Sequence, residues 1–293
     1  VHKALDLGIN LVDTADQYRS GENEEVVAKA LQGRRNDVVL TTKFGYDFYT
    51  FKARIRHQEK PQNFEPEFIR KACEQSLRRL NTDWIDVYQL HNPRLPVIER
   101  DDVFETLDRL KAEGKIRYYG VALGPDIGWF EEGEASMKER KVSTLQIIYS
   151  ILEQDPARDF FPIAKEYGSG LLVRVPHASG LPDGTVTRDT VFPETDHRSH
   201  RKREWLDENL QKVEQLKFLT EDEESRLTIG QAALKFCLAQ ATVSSVLLTV
   251  TDLDQLEEFA AASDLPDLPQ EDLDRVYKLY DRNFDVTPVA SPS

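Results

Sequence analysis

Cysteine, basic charge and long apolar runs are all scarce in this chain, and each scarcity excludes something. Of 293 residues only Cys73 and Cys237 are cysteines. Two distant thiols make no disulfide framework, which points to a reducing cytoplasm, and both sit in helical patterns where they read as packing. No apolar stretch approaches the length of a bilayer-spanning helix, and no segment has the features of a signal peptide, so membrane partners are not expected. Lys and Arg number 38 against 52 Asp and Glu, for a net charge of −14. A surface of that sign repels nucleic acid and anionic lipid. Hydrophobic residues, by contrast, make up 40% of the chain, enough to bury a sizeable core.

Short runs rich in Val, Ile, Leu and Tyr alternate with longer helical patterns. Strands are expected at 9–14, 38–43, 85–91, 116–122, 144–149, 170–175 and 244–249, as for strands buried on both faces of a parallel sheet. Helices are expected at 24–32, 66–80, 102–113, 160–167, 228–240, 252–262 and 270–280. Thr228 with Gln231, and Asp252 with Gln255, have capping-box spacing, each side chain satisfying the other's orphan amide. Such alternation leaves two architectures, an open doubly wound sheet or a closed barrel. The chain opens inside a helical pattern, Val1 to Gly8, and seven strands are visible. An eight-stranded (β/α)8 TIM barrel with its first strand upstream of this sequence accounts for both. One barrel domain over 1–293 is expected, with 281–293 as a loose tail. Three long connections, 45–64, 123–140 and 176–206, follow strand C-termini, where barrel enzymes place their active sites.

Polar side chains punctuate those same strand ends. Asp13 closes the first strand and Tyr18 follows in the next turn; Lys43 closes the second and His91 the third. In a parallel barrel these ends converge on one rim. A phenol alone is too weak an acid to protonate a carbonyl oxygen near neutrality. A lysine ammonium beside it favours the phenolate, a carboxylate can hold the lysine, and an imidazole can orient the carbonyl or pass the proton. No side chain supplies a hydride, so that must come from a cofactor.

The stretch Gly8 to Tyr18, with Gly21 and Glu24-Glu25, together with Leu40-Thr41-Thr42-Lys43, Gln89-Leu90-His91-Asn92-Pro93 and Gly114-Lys115-Ile116-Arg117 before Gly120-Val121, resembles the aldo-keto reductase family over essentially the whole chain. The resemblance implies Tyr18 as general acid/base, Lys43 and Asp13 as its tuning pair, His91 as substrate orienter, and NADPH or NADH as cofactor. It implies nicotinamide contacts at Ala122, Leu123 and Gln146, although Ala122-Leu123 stands where the family usually carries Ser-Asn. Arg174 falls where an aromatic ring commonly stacks on the nicotinamide; its planar guanidinium can also stack. Pro176, Ser179, Gly180 and Leu181 resemble the loop around the pyrophosphate. Thr249, Gln255 and Glu258 match positions around the adenosine.

The family's basic residue for the adenosine 2′-phosphate has no counterpart near Thr251; Asp252 and Asp254 stand there instead, and NADH remains as open as NADPH. Phe259 replaces an asparagine that often reads adenine. Residues 197–203 form a basic island that reads as a solvated loop, with anion recognition as a minor alternative; no metal site is expected. The aromatic loop 46–51 reads either as core packing or as pocket lining. A small carbonyl or alcohol is the implied substrate. Two other functions stay open: a dinucleotide-binding regulatory or redox-sensing subunit with little turnover, and a non-redox barrel enzyme using Lys43 as base.

Overall fold

The computed structural model describes residues 1–51, 60–125, 128–194, 196–221 and 227–287, and the chain divides into two compact units. One comprises Val1–Ile147 with Pro156–Leu172, the other Ile148–Asp155 with Val173–Ser293. Among the described residues no helix is long and apolar enough to cross a membrane.

Seven strands make one sheet whose spatial order follows the chain: β1 (Leu11–Asp13), β2 (Val39–Phe44), β3 (Ile85–His91), β4 (Ile116–Ala122), β5 (Thr144–Ile148), β6 (Gly170–Arg174) and β7 (Val243–Leu247). Pairings from β1 through β5 are parallel. A doubly wound sheet reverses its strand order at a switch point; this sheet does not, which decides between the two architectures in favour of the (β/α) barrel.

The helices are α1 (His2–Asp6), α2 (Glu22–Ala30), α3 (Pro66–Leu80), α4 (Leu95–Ile98), α5 (Asp101–Ala112), α6 (Phe130–Lys138), α7 (Ala157–Tyr167), α8 (Arg203–Glu214), α9 (Ile229–Leu238), α10 (Leu253–Ala261) and α11 (Gln270–Asp281).

In the first unit, every residue of β3 is buried. Helix α3 lays Phe68, Ile69, Ala72, Cys73, Ser76 and Leu80 inward, a stripe at helical spacing. Proline at its first turn and Asn81 at φ 49 just past its end set its limits. Each buried Leu, Ile or Phe contributes about 1.5–3 kcal/mol. Both cysteines are free and buried, and burial pushes the Cys73 thiol up to about 12.

Alongside the short α4, which was not expected, and small shifts at several element ends, four departures from the sequence-based expectation stand out. The segment 123–140, expected as a connection, contains α6. Its interior Gly133 argues against a helix locally, but a Cβ there would lie 2.5 Å from the Phe160 ring of α7, so close packing requires the glycine. Helix α8 was not expected, because it is densely charged and buries only Leu206. The last strand ends at Leu247, which leaves Thr249 exposed beyond it.

The fourth departure concerns the caps. The Thr228–Gln231 box forms in full. In the second pair Asp252 accepts from the Gln255 N–H at 2.8 Å, but the Gln255 side chain accepts from Thr251, one residue upstream of the cap.

Candidate active site

Parallel register puts the C-terminal ends of β1 to β5 side by side. Asp13 pairs with Thr41, Lys43 with Gln89, His91 with Ala122, and Ala122 with Gln146. Lys43 is 1% exposed, and a buried ammonium demands a countercharge and acceptors. Its Nζ donates to Asp13 Oδ2 at 2.5 Å and to the Thr14 carbonyl at 2.9 Å. The other Asp13 oxygen accepts from Gln146 Nε2 at 3.1 Å.

Tyr18 joins this group through the turn that follows β1. The Thr14 N–H donates to Thr41 O (2.9 Å) and the Asp16 N–H to Lys43 O (3.1 Å), which extends the strand pairing into the turn. The chain then reverses through three residues with left-handed backbones, Arg19 (φ 50), Ser20 (φ 56) and Gly21 (φ 99). A Cβ on Gly21 would sit 2.8 Å from Arg79 Cδ, so both the backbone conformation and the space call for glycine. Lys43 Nζ lies 5.4 Å from the Tyr18 ring centroid, and the Tyr18 ring meets the His91 ring edge-on at 5.9 Å. The four side chains expected at the rim are therefore together, with Tyr18 41% exposed and His91 buried.

Three neighbours were missed or left ambiguous by sequence reasoning. Gln17 Nε2 lies 3.5 Å from His91 Nδ1. The Tyr46 ring packs edge-on to His91 at 5.1 Å, and its hydroxyl accepts from Asn92 at 2.8 Å. Tyr46 and Phe48 of the aromatic loop are buried; part of the connection 45–64 lies outside the described residues. Glutamine, tyrosine and asparagine at loop positions give no local signal of this convergence.

Ala122 and Leu123 are buried at the end of β4, and the Leu123 N–H donates to the Gln146 carbonyl at 3.0 Å. Gln146 is also buried, with its amide nitrogen turned to Asp13. Its amide oxygen is an acceptor by nature, suited to the N–H of a carboxamide. That acceptor fits the carboxamide of a nicotinamide.

The remaining expected cofactor residues belong to the second unit. After Arg174 the chain runs through Val175 (φ 58), Pro176, Ala178 (φ 42), Ser179 (φ 65) and Gly180 (φ 89) to buried Leu181. Backbone amides in a left-handed turn form the type of concavity that takes phosphate oxygens. Arg198 donates to the Ser179 carbonyl at 2.8 Å and forks onto Asp196 at 3.0 and 2.7 Å, so this member of the basic island is neutralised within the protein. Buried His177 packs its ring, tilted by 31°, against Phe259 at 4.3 Å with its Nε2 3.1 Å from the Gly230 carbonyl, and desolvation pushes its pKa down. Glu258 accepts from the Thr228 hydroxyl at 2.6 Å, and Gln255 lies within 3.5 Å of Asp183. No cluster of metal-ligand type occurs among the described residues.

The chain is an NAD(P)-dependent oxidoreductase. The model of the Aldo/keto reductase family matches residues 1–281, and the chain belongs to that family. It is 32% identical over 266 residues to the NADH-specific methylglyoxal reductase of Escherichia coli (strain K12), covering 87% of this chain and 78% of that enzyme. Among solved structures, aldo-keto reductase AKR11C1 from Bacillus halodurans in its holo form superposes with a TM-score of 0.74 at 30% identity, over 100% of this chain and 87% of that one. The glycerol dehydrogenase AKR11B4 from Gluconobacter oxydans gives 0.82 at 28% identity, over 100% and 86%. These likenesses carry the full (β/α)8 fold class.

Proposed function

We propose that this enzyme reduces small aldehydes or ketones, or oxidises the matching alcohols, with Tyr18 as the proton-transferring group. The observation that carries this reading is the buried Lys43 ammonium, held by Asp13 at 2.5 Å and lying 5.4 Å from the Tyr18 ring. The bound dinucleotide supplies the hydride. In the reducing direction the Tyr18 hydroxyl delivers a proton to the carbonyl oxygen, the Lys43 charge stabilises the phenolate left behind, and Asp13 keeps the lysine in place. His91 orients the carbonyl oxygen. Ala122, Leu123 and Gln146 would hold the nicotinamide carboxamide, and Arg174 would offer the cofactor a planar guanidinium. Pro176, Ser179, Gly180 and Leu181 would hold the pyrophosphate, and Thr249, Gln255 and Glu258 would hold the adenosine. Two buried free thiols suit a reducing cytoplasm, and the negative net charge favours a small-molecule substrate over nucleic acid.

Tyr18→Phe tests the reading. It deletes one hydroxyl, so quenching of tryptophan fluorescence by NADPH and NADH should persist while carbonyl-dependent cofactor oxidation falls about 10²–10⁴-fold. Turnover at the parent rate would remove Tyr18 from the chemistry. Cofactor binding by the parent protein with no carbonyl-dependent oxidation would favour a regulatory subunit instead.

A further inference from the structure

Beneath the Tyr18 turn lies a sealed cluster of charge that the proposed chemistry does not use. Asp16 is 0% exposed, and neither of its carboxylate oxygens is paired with another side chain. Burying an unpartnered carboxylate is expensive, and such a group takes up a proton unless a cation answers it. The guanidinium that favours its ionisation, Arg79, is already committed. Arg79 Nε donates to Glu24 Oε2 at 2.7 Å, and its Nη2 lies 3.2 Å from the Tyr49 hydroxyl and 3.3 Å from Ser76 Oγ. Glu24, also 0% exposed, takes the Thr42 hydroxyl on its other oxygen at 2.7 Å. The described charged and titratable groups facing Asp16 are Glu24 of α2, Arg79 of α3, Tyr88 of β3, and Lys60 and Tyr49 of the connection after β2. Burial and then Glu24 push the Asp16 carboxyl well above its ordinary range, with Arg79, the adjacent Gln17 N–H and Lys60 opposing.

The cluster is also the floor of the turn. The Asp16 N–H is bonded to the Lys43 carbonyl at 3.1 Å, two residues before Tyr18. At the other end, the Arg79 stem closes against Gly21. We propose that Asp16 is a positioning residue held as a neutral carboxylic acid, with Arg79 committed to Glu24, and that ionisation of Asp16 unseats the Tyr18 turn and lowers turnover at alkaline pH. This rests on the reading of Tyr18 as the proton donor.

A carboxyl protonated when folded and ionised when unfolded loses stability as pH rises from its unfolded pKa towards its folded one. Asp16→Asn removes that loss. It should raise the thermal midpoint by a few degrees at neutral pH, with the gain shrinking as pH falls to the ordinary carboxylate range. The alkaline limb of kcat should move to higher pH, with little change in KM. An infrared band of a protonated carboxyl should be present in the parent at neutral pH, absent in Asp16→Asn, and retained in Tyr18→Phe. Glu24→Gln releases the Arg79 charge to Asp16, so that band should also vanish there.

The opposite pattern overturns the proposal: no protonated carboxyl in the parent, or Asp16→Asn less stable at neutral pH and relatively better in acid, as for the ionised partner of Arg79. The infrared and melting readouts do not depend on turnover. A failure of the Tyr18 reading would leave them intact, with only the kcat limb losing its meaning.

Discussion

Asp13 divides its carboxylate between Lys43 and Gln146, one oxygen to each, at 2.5 and 3.1 Å. One side chain thereby fixes both the buried cation beside Tyr18 and the amide suited to the nicotinamide. The two groups are coupled through a side chain that is itself only partly buried, 17% of it exposed.

Lys43→Met keeps the length of the side chain and deletes the charge. It leaves Asp13 without its countercharge, and breaking a buried pair costs about 3–5 kcal/mol. The residual exposure of Asp13 places the loss near the lower end, about 3 kcal/mol, read from the urea midpoint at constant slope. Turnover should fall by at least about 10²-fold. Lys43→Arg should not rescue it, because a planar fork cannot replace a point ammonium at 2.5 Å from Asp13 and 2.9 Å from the Thr14 carbonyl. Near-parental kcat in Lys43→Arg would contradict this geometry.

The adenosine end carries a discriminating prediction of its own. Helix α10 begins with the Asp252 carboxylate already capping its N-terminus, and Thr251 beside it is exposed. A 2′-phosphate arriving there meets a like charge and an occupied donor. Thr251→Arg adds a forked cation, so the Kd for NADPH should drop about tenfold relative to that for NADH, about 1.4 kcal/mol. Equal tightening of both cofactors in a fluorescence titration would place the 2′-phosphate elsewhere.

How much of this was legible in the sequence depended on whether the signal was local. The bounds of β3, β4 and α3 were read correctly because short runs rich in Val, Ile, Leu and Tyr mark the strands and a helix face gives a clean period. Asp13 and His91 were equally visible at the ends of their strands, and Lys43 was legible after Leu40-Thr41-Thr42 although β2 runs one residue further, to Phe44. The Asp16 floor was not. It depends on Glu24 meeting Arg79 across 55 residues of chain and on a pocket closed by Gly21, and neither leaves a periodic trace. Helix α6 stayed hidden for the same reason, because Phe160 explains Gly133 only in three dimensions. The Gln255 cap shows the limit from the other side. Its spacing announced a capping interaction, while the choice of Thr251 over Asp252 as donor depends on backbone direction.

His177 gives a pH signature that belongs to folding alone. Its ring is buried against Phe259 and set 3.1 Å from the Gly230 carbonyl, and desolvation pushes its pKa below the ordinary histidine value. The folded state therefore resists protonation that the unfolded chain accepts. The associated stability is fully present above the unfolded pKa of about 6.5 and drains away as pH falls from there towards the lower folded value. His177→Gln preserves an amide donor for Gly230 and removes the titration. Between about pH 7 and pH 5, spanning that unfolded value, the parent should lose more unfolding free energy than the variant. Parallel losses in urea titrations across that window would show that His177 takes its proton as readily folded as unfolded, contrary to its burial.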